Sequence, residues 1–135
     1  MTLRGKWSTL HVLASALLLV ALCAGVAQAQ KGRSVIRRVN FPRGRTTAVL
    51  KGTLRRGLSH DYLLRAKRGQ TMTVHLAADS GEMSLTILRP DGETWLDDTK
   101  DWSGELPSTG TYRINVLPDT TTEQPKNYTL EITIR

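Results

Sequence analysis

The stretch HDYLLRAKRGQTMTVHL, residues 60–76, decides the fold. Apolar side chains occupy every second position in two runs, which are Tyr62, Leu64 and Ala66, then Met72, Val74 and Leu76. Gly69 lies in the short connection between the runs, where glycine can supply a turn position with positive φ. An alternation with a period of two turns one face of a strand toward a core and the other toward solvent. The stretch therefore predicts two half-buried β-strands joined by a turn.

The same alternation returns in three later segments, at residues 83–87, 111–116 and 128–135. Four weaker strand candidates are residues 35–41, 48–54, 94–96 and 102–106. Gly52 interrupts the second of these and indicates a bulge or a bend. The first is a candidate edge strand, in which Arg37 and Arg38 are expected to discourage association between sheets. The sequence thus predicts eight or nine strands.

Turn chemistry separates these segments. Pro90-Asp91-Gly92 combines a preset φ at proline with a glycine that tolerates positive φ, and residues 107–110 do the same before the next strand. No segment beyond the N-terminal apolar run has the 3.6-residue period of a helix. Short strands between turns predict one all-β domain, a sandwich or barrel without helices.

The N-terminus has the pattern of a secretory signal peptide. Arg4 and Lys6 precede an uncharged apolar run, and Ala27-Gln28-Ala29 supplies the small residues that signal peptidase requires. We expect cleavage after Ala29. An uncleaved membrane anchor is the alternative, although the run is shorter than a spanning helix needs. A lipoprotein anchored through Cys23 is disfavoured, because the preceding Leu22 is not a small residue.

This pattern divides the chain into three parts. Residues 1–29 are the signal peptide, 30–44 form a basic leader with the candidate edge strand, and 45–135 form the sandwich domain. The only cysteine lies within the signal peptide, so the exported part has no disulfide, thiolate nucleophile or thiolate metal ligand. The expected location is the periplasm or the exterior.

Charge is unevenly distributed along the exported part. Residues 31–68 contain twelve lysines and arginines but a single acid, Asp61. Residues 69–135 contain five bases and eleven acids. The basic half is suited to an anionic surface such as lipid A phosphates or wall polymer. The alternative, which we favour because the bases are scattered over several strands, is that the two halves neutralise each other within the sandwich.

No constellation of residues predicts catalysis. His60 and His75 lack the spacing of a metal pair, and we interpret both as solvent-facing. Asp97, Asp98 and Asp101 form an acidic loop without the pattern of a calcium-binding hand. The sequence also lacks a phosphate-binding glycine loop and a G-x-S-x-G motif. We therefore expect no enzyme activity, no cofactor and no metal site.

The aromatic residues divide into two groups. Tyr62, Tyr112 and Tyr128 fall on apolar faces and are expected in the core. Trp95 and Trp102 flank the acidic loop, where exposed rings would suit sugar stacking or a protein interface. We expect at least partial burial for Trp102, and leave Trp95 open. The basic half contains too few interleaved aromatics for a nucleic-acid site.

Four pieces of the sequence together resemble bacterial pre-peptidase C-terminal (PPC) domains. In chain order they are residues 60–74 (HDYLLRAKRGQTMTV), 85–92 (LTILRPDG), 106–116 (LPSTGTYRINV) and 128–130 (YTL). The match covers roughly residues 45–134. The resemblance implies a jelly-roll-like antiparallel β-sandwich.

Among small exported proteins of this type, the chain resembles the periplasmic inhibitors of g-type (goose-type) lysozyme. Residues 50–52 (LKG) and 102–112 (WSGELPSTGTY) add to the shared motifs. The resemblance implies a non-catalytic protein that blocks the cleft of the enzyme with sandwich loops. The candidate contacts are Trp102, Ser103, Gly104 and Arg113, together with Trp95.

A function of another class remains open, in which the protein is an envelope or carbohydrate module that binds peptidoglycan or lipopolysaccharide. It would use either the basic half of the chain or the tryptophan pair. The sequence does not predict an oligomeric state.

We expect the full chain, expressed in a Gram-negative host, to be processed to an N-terminus at Gln30. Intact-mass spectrometry of the periplasmic extract measures this directly. Ala29→Leu should block processing, because the peptidase requires a small residue immediately before the cut. A wild-type protein that retains residues 1–29 would contradict the assignment.

Overall fold

The computed structural model describes residues 32–80, 82–118 and 123–135, and the expected signal peptide lies outside these ranges. Nine strands occupy the described residues: β1 (Arg33–Arg38), β2 (Thr47–Leu54), β3 (Leu58–Ala66), β4 (Thr71–Ala78), β5 (Met83–Leu88), β6 (Thr94–Thr99), β7 (Asp101–Glu105), β8 (Gly110–Pro118) and β9 (Lys126–Ile134). Within the same ranges there is no helix, and hence none that could cross a membrane. The all-β prediction is confirmed.

The strands form two sheets. One has five strands in the order β1-β3-β8-β5-β6, and the other has four in the order β2-β9-β4-β7. All neighbouring pairs are antiparallel except β1 and β3, which run parallel. β1 begins at Arg33, two residues earlier than the sequence pattern suggested, and it is an edge strand as expected.

The core lies between the two sheets and is built by the alternation seen in the sequence. In β4, Met72, Val74 and Leu76 are buried, whereas the residues between them are exposed. Buried side chains of this kind each contribute about 1.5–3 kcal/mol through removal from water. The three tyrosines are at most 2% exposed, as predicted.

A buried hydrogen-bonded triad connects the sheets. The Tyr128 hydroxyl, from β9, lies 2.5 Å from His60 Nδ1 and 2.6 Å from the Tyr62 hydroxyl, both from β3. The prediction of a solvent-facing His60 was wrong, because His60 shares the inward face of β3 with Tyr62 and is 6% exposed. Burial, with the nearby Arg37 charge, lowers the pKa of His60. Burial and the hydrogen bond shared with Tyr62 raise the pKa of Tyr128.

Gly52 makes room for this triad. A Cβ atom at Gly52 would lie 2.5 Å from the Tyr128 hydroxyl oxygen and 2.6 Å from Cζ of the same ring. The expected bulge or bend is absent, because β2 pairs with β9 in unbroken register from Thr47 to Leu54. The glycine is needed for close approach of a ring and not for a change in strand direction.

The acidic segment lies in strands and not in the loop that we expected. Asp97 and Asp98 belong to β6, Asp101 belongs to β7, and only Lys100 lies between these strands. At this point the chain passes from the five-stranded sheet to the four-stranded one. The pairing of β5 with β6 shifts register twice, and Asp98 has a φ of 50°. This irregularity turns the chain through the corner without a loop.

We expect the free energy of unfolding to fall as the pH is lowered through about 6.5, the ordinary pKa of histidine. The pKa of His60 is lower in the folded protein, so below that pH the unfolded chain binds the proton more readily. The free energy of unfolding can be measured with urea at about pH 7.5 and about pH 5.5. Its difference between the two pH values should be smaller for His60→Gln than for wild type. Equal differences would contradict this role.

Candidate functional site

Three loops meet at one end of the sandwich because successive strands reverse direction. The connections β3–β4, β5–β6 and β7–β8 therefore share an end, where they place residues 67–70, 90–92 and 106–110. We call these three loops the loop cluster. The sequence identified each of them as a turn, and the strand order brings them together.

Main-chain hydrogen bonds fix the loop cluster. The Gly69 N–H donates to the Leu106 carbonyl at 3.0 Å, and the Leu106 N–H donates to the Gln70 carbonyl at 2.8 Å. The Arg68 N–H donates to the Thr109 hydroxyl at 2.9 Å. Arg68 and Thr109 are both exposed. The cluster therefore presents polar side chains to solvent from a backbone whose position is set.

Tyr112 supports the cluster from below. Its ring is fully buried, and its hydroxyl donates to the Ser108 carbonyl at 2.7 Å and accepts from the Ser108 N–H at 3.2 Å. The neighbouring Gly110 lies against Pro90, since a Cβ there would come within 2.6 Å of the proline Cβ. One buried tyrosine and one glycine contact thus tie two of the loops together.

The two tryptophans close the side of the sandwich next to the loop cluster. Trp95 on β6 and Trp102 on β7 contact each other edge to face, with ring centroids 4.7 Å apart. Trp95 also lies 6.2 Å from the Tyr112 ring. Gly104 accommodates Trp102, because a Cβ there would approach the indole to 2.6 Å. Both tryptophans are half-buried, which agrees with the expectation for Trp102 and settles the exposure of Trp95.

The candidate contacts do not form one patch. Trp95, Trp102 and Gly104 are adjacent, whereas Ser103 points to the opposite face of β7 and shares a hydrogen bond of 2.8 Å with Thr73. Arg113 lies on the outer face of the five-stranded sheet. Two strand spacings, about 10 Å, separate its strand from β6.

Arg113 has a partner on that outer face. Its guanidinium lies 3.7 Å from the carboxylate of Asp61, which also accepts a hydrogen bond from the Asn115 amide at 2.5 Å. Asp61 is 5% exposed although it points away from the core. The ion pair with Arg113 and the hydrogen bond from Asn115 offset the free-energy cost of burying this carboxylate.

The charges of the two halves separate in space. We define the basic edge as Arg33, Arg37 and Arg38 of β1, Lys51 of β2, and Arg55 and Arg56 of the following turn. The opposite edge, β6 and β7, carries Asp97, Asp98, Asp101 and Glu105. Because β1 and β2 lie at one edge and β6 and β7 at the other, neutralisation between the halves is confined in the described chain to local pairs such as Arg56 with Glu123.

The histidines and acids do not assemble into a metal site in the described part of the chain. No group of three or more His, Cys, Asp or Glu side chains there has suitable geometry. His75 is exposed, as predicted, and pairs with Asp101 across β4 and β7. The acidic side chains of β6 and β7 lie along two strands and do not converge.

Solved structures provide the comparison with known proteins. The protein is similar to Aeromonas hydrophila PliG, a periplasmic inhibitor of g-type lysozyme, with 26% identity and a TM-score of 0.67 over 76% of this chain and 98% of PliG. Salmonella Typhimurium PliG matches with 22% identity and a TM-score of 0.61 over 77% and 99%. The pre-peptidase C-terminal domain of Bacillus anthracis collagenase matches with 11% identity and a TM-score of 0.54 over 76% and 95%.

No protein-family model matches the sequence, and no curated protein does. The resemblance that the sequence motifs indicated is confirmed by these structures, both for the PPC-like sandwich and for the g-type lysozyme inhibitors.

Tyr112→Phe should loosen the 107–109 loop, because it removes the hydroxyl that holds both main-chain groups of Ser108. We expect a loss of about 1–2 kcal/mol in the free energy of unfolding and faster amide hydrogen exchange in this loop. Tyr62→Phe is the matched control, since its hydroxyl binds Tyr128 and not the loop. Loop exchange that accelerates equally in both variants would contradict this role for Tyr112.

Proposed function

We propose that this protein is a periplasmic inhibitor of g-type lysozyme that acts by obstruction and not by catalysis. The observation that carries the proposal is the likeness to Aeromonas hydrophila PliG, which extends over 98% of that inhibitor at 26% identity. Three of the matching structures are inhibitors of this kind. The export pattern of residues 1–29 is consistent with the same compartment.

The loop cluster is the surface that we propose to enter the enzyme's cleft. Binding costs less conformational entropy when the loops are already held in one shape. The hydrogen bonds from Gly69 and Arg68 and the support from Tyr112 supply this preorganisation. The half-buried Trp95 and Trp102 hold the adjoining corner of the sandwich in place.

The charge of the loop cluster suits such a target. Lysozymes are glycoside hydrolases, and enzymes of this class place carboxylic side chains beside the bond that they cleave. Lys67 and Arg68 are exposed at the tip of the β3–β4 turn. The Lys67 N–H donates to the Gln70 side chain within the turn, and the Arg68 N–H donates to Thr109 of the neighbouring loop. An arginine placed against a carboxylate can form two parallel charged hydrogen bonds. Arg68 is therefore the contact that we expect to matter most.

The tryptophans support a positioning role and not sugar stacking. A stacking platform needs a free ring face, but Trp95 and Trp102 contact each other and Gly104 lies against the Trp102 ring. We therefore do not pursue a carbohydrate module that uses the tryptophan pair. The alternative that we keep is a module that binds an anionic envelope surface through the basic residues.

Inhibition can be measured as the loss of lytic rate when the processed protein is added to a purified g-type lysozyme and bacterial cell walls. We expect Arg68→Ala to weaken inhibition about tenfold or more, as for truncation of a central interface arginine. Arg65→Ala is the matched control, because it removes the same charge from the outer face of β3. Arg55→Ala combined with Arg56→Ala probes the opposite end of the sandwich.

The outcomes separate the function from its location. Unchanged lysis at micromolar wild-type protein would remove the inhibitor proposal. A different result would be inhibition that is unchanged in Arg68→Ala but lost in the Arg55 and Arg56 variant. The protein would then still be an inhibitor, but its contact with the lysozyme would lie at the β2–β3 turn and not at the loop cluster.

A further inference from the structure

Strand β1 extends beyond the sandwich. It is the fifth strand of its sheet, and the facing sheet has only four. All six residues of β1 are exposed, on both faces of the strand. Neither face is covered by the described part of the chain.

Aliphatic and cationic side chains alternate along this uncovered strand. Arg33, Val35 and Arg37 lie on one face of β1, and Ile36 and Arg38 lie on the other. Residues two positions apart on a strand are about 7 Å apart, so each aliphatic side chain has an arginine close beside it. The arginine stem can lie along apolar surface while the guanidinium reaches a polar layer.

Exposed apolar surface is concentrated at the same edge. Four large hydrophobic residues of the described chain are exposed, and three of them are on β1 and β2: Val35 (40%), Ile36 (60%) and Val49 (57%). Val35 lies on the inward face of β1, Ile36 on the outer face of the five-stranded sheet and Val49 on the outer face of the four-stranded sheet, so the three side chains flank the edge from different sides.

Positive charge exceeds negative charge at this edge among the described residues. No aspartate or glutamate occurs between residues 32 and 60. Four acids of the described chain lie at or beside this edge, which are Asp61, Asp79, Glu123 and Glu131. Asp61 is 5% exposed and paired with Arg113, and Glu123 lies 3.7 Å from Arg56. The six cations of the basic edge therefore outnumber the four carboxylates around them.

We propose that the basic edge docks the protein on an anionic lipid membrane, with its arginines on lipid phosphates and its aliphatic residues at the headgroup boundary. Guanidinium groups bind phosphate through paired hydrogen bonds, and five of the six cations are arginines. Basic residues near an anionic bilayer each add to binding, and apolar side chains in the interface add to it independently. This function is separate from lysozyme inhibition, which we assign to the loop cluster.

A second copy of the chain is a poorer occupant of this edge. Pairing two β1 strands would bring their arginines together, a repulsion that edge strands use to prevent association. Docking the basic edge onto the acidic edge of another copy is a head-to-tail contact, which produces open filaments unless the rotation closes.

The test is co-sedimentation of the processed protein with vesicles of phosphatidylethanolamine and phosphatidylglycerol, compared with vesicles of phosphatidylcholine alone. We expect binding only to the anionic vesicles, and a decrease as salt is added. The edge variant, Arg33→Gln with Arg37→Gln, Arg38→Gln and Lys51→Gln, should lower the partition coefficient about tenfold or more.

The matched control, Arg65→Gln with Arg89→Gln, Lys100→Gln and Arg135→Gln, removes four positive charges outside the edge. We expect it to bind anionic vesicles within about twofold of wild type. Ile36→Thr with Val49→Thr should weaken binding about threefold or more while its salt dependence remains. Thermal unfolding of each variant confirms that it is folded.

Three results would overturn the proposal. The first is equal binding to both kinds of vesicle. The second is an equal loss in the edge and control variants, which would reduce the effect to net charge. The third is self-association in sedimentation velocity that the edge variant abolishes, without vesicle binding. Neither the expected nor the contrary results depend on lysozyme, so the two functions can fail separately.

Discussion

The fold depends on the position of the Tyr128 side chain, whose ring packs over Gly52 of its own sheet and whose hydroxyl reaches the facing sheet. Its hydroxyl crosses from β9 to His60 and Tyr62 on β3, and its ring occupies the space that a side chain at residue 52 would need. The hydrophobic residues supply most of the driving force, but they are not directional. The polar contact is directional and buried, so a displaced sheet would leave hydroxyl and imidazole groups without partners. It thereby fixes the relation of one sheet to the other.

That relation positions both proposed surfaces. Because the strands reverse direction in turn, three connections gather at one end, and Tyr112 joins the packed core to the exposed 107–109 loop. Because one sheet has a strand more than the other, β1 remains uncovered at the side. The same core thus produces a rigid end suited to a cleft and an open edge suited to a charged layer. These surfaces use different residues and different physical interactions.

The local pattern of the sequence was sufficient to predict the strands. It was insufficient to predict which residues of different strands contact each other. Alternation identified β3, β4, β5, β8 and β9 because a period of two is imposed directly by the pleat. The prediction of a solvent-facing His60 was wrong because its burial depends on Tyr128, a residue 68 positions away. The prediction of a bulge or bend at Gly52 was wrong for the same reason, since its neighbour is a ring on another strand. The charge asymmetry was visible in the sequence, but its separation onto opposite edges follows from the strand order. Arg113 was grouped with Trp102 by motif, and the register places them on different faces.

A double-mutant cycle at Gly52 and Tyr128 tests the central constraint most directly. In the wild-type background, Gly52→Ala should lower the free energy of unfolding by about 2 kcal/mol, because the new methyl group collides with a ring that cannot retreat. In the Tyr128→Leu background the same substitution should cost less than about 0.5 kcal/mol, since the obstructing atoms are gone. Urea unfolding of the four proteins measures the coupling. An alanine at residue 52 that costs the same in both backgrounds would contradict the claim that the Tyr128 ring is held against Gly52 in a fixed position.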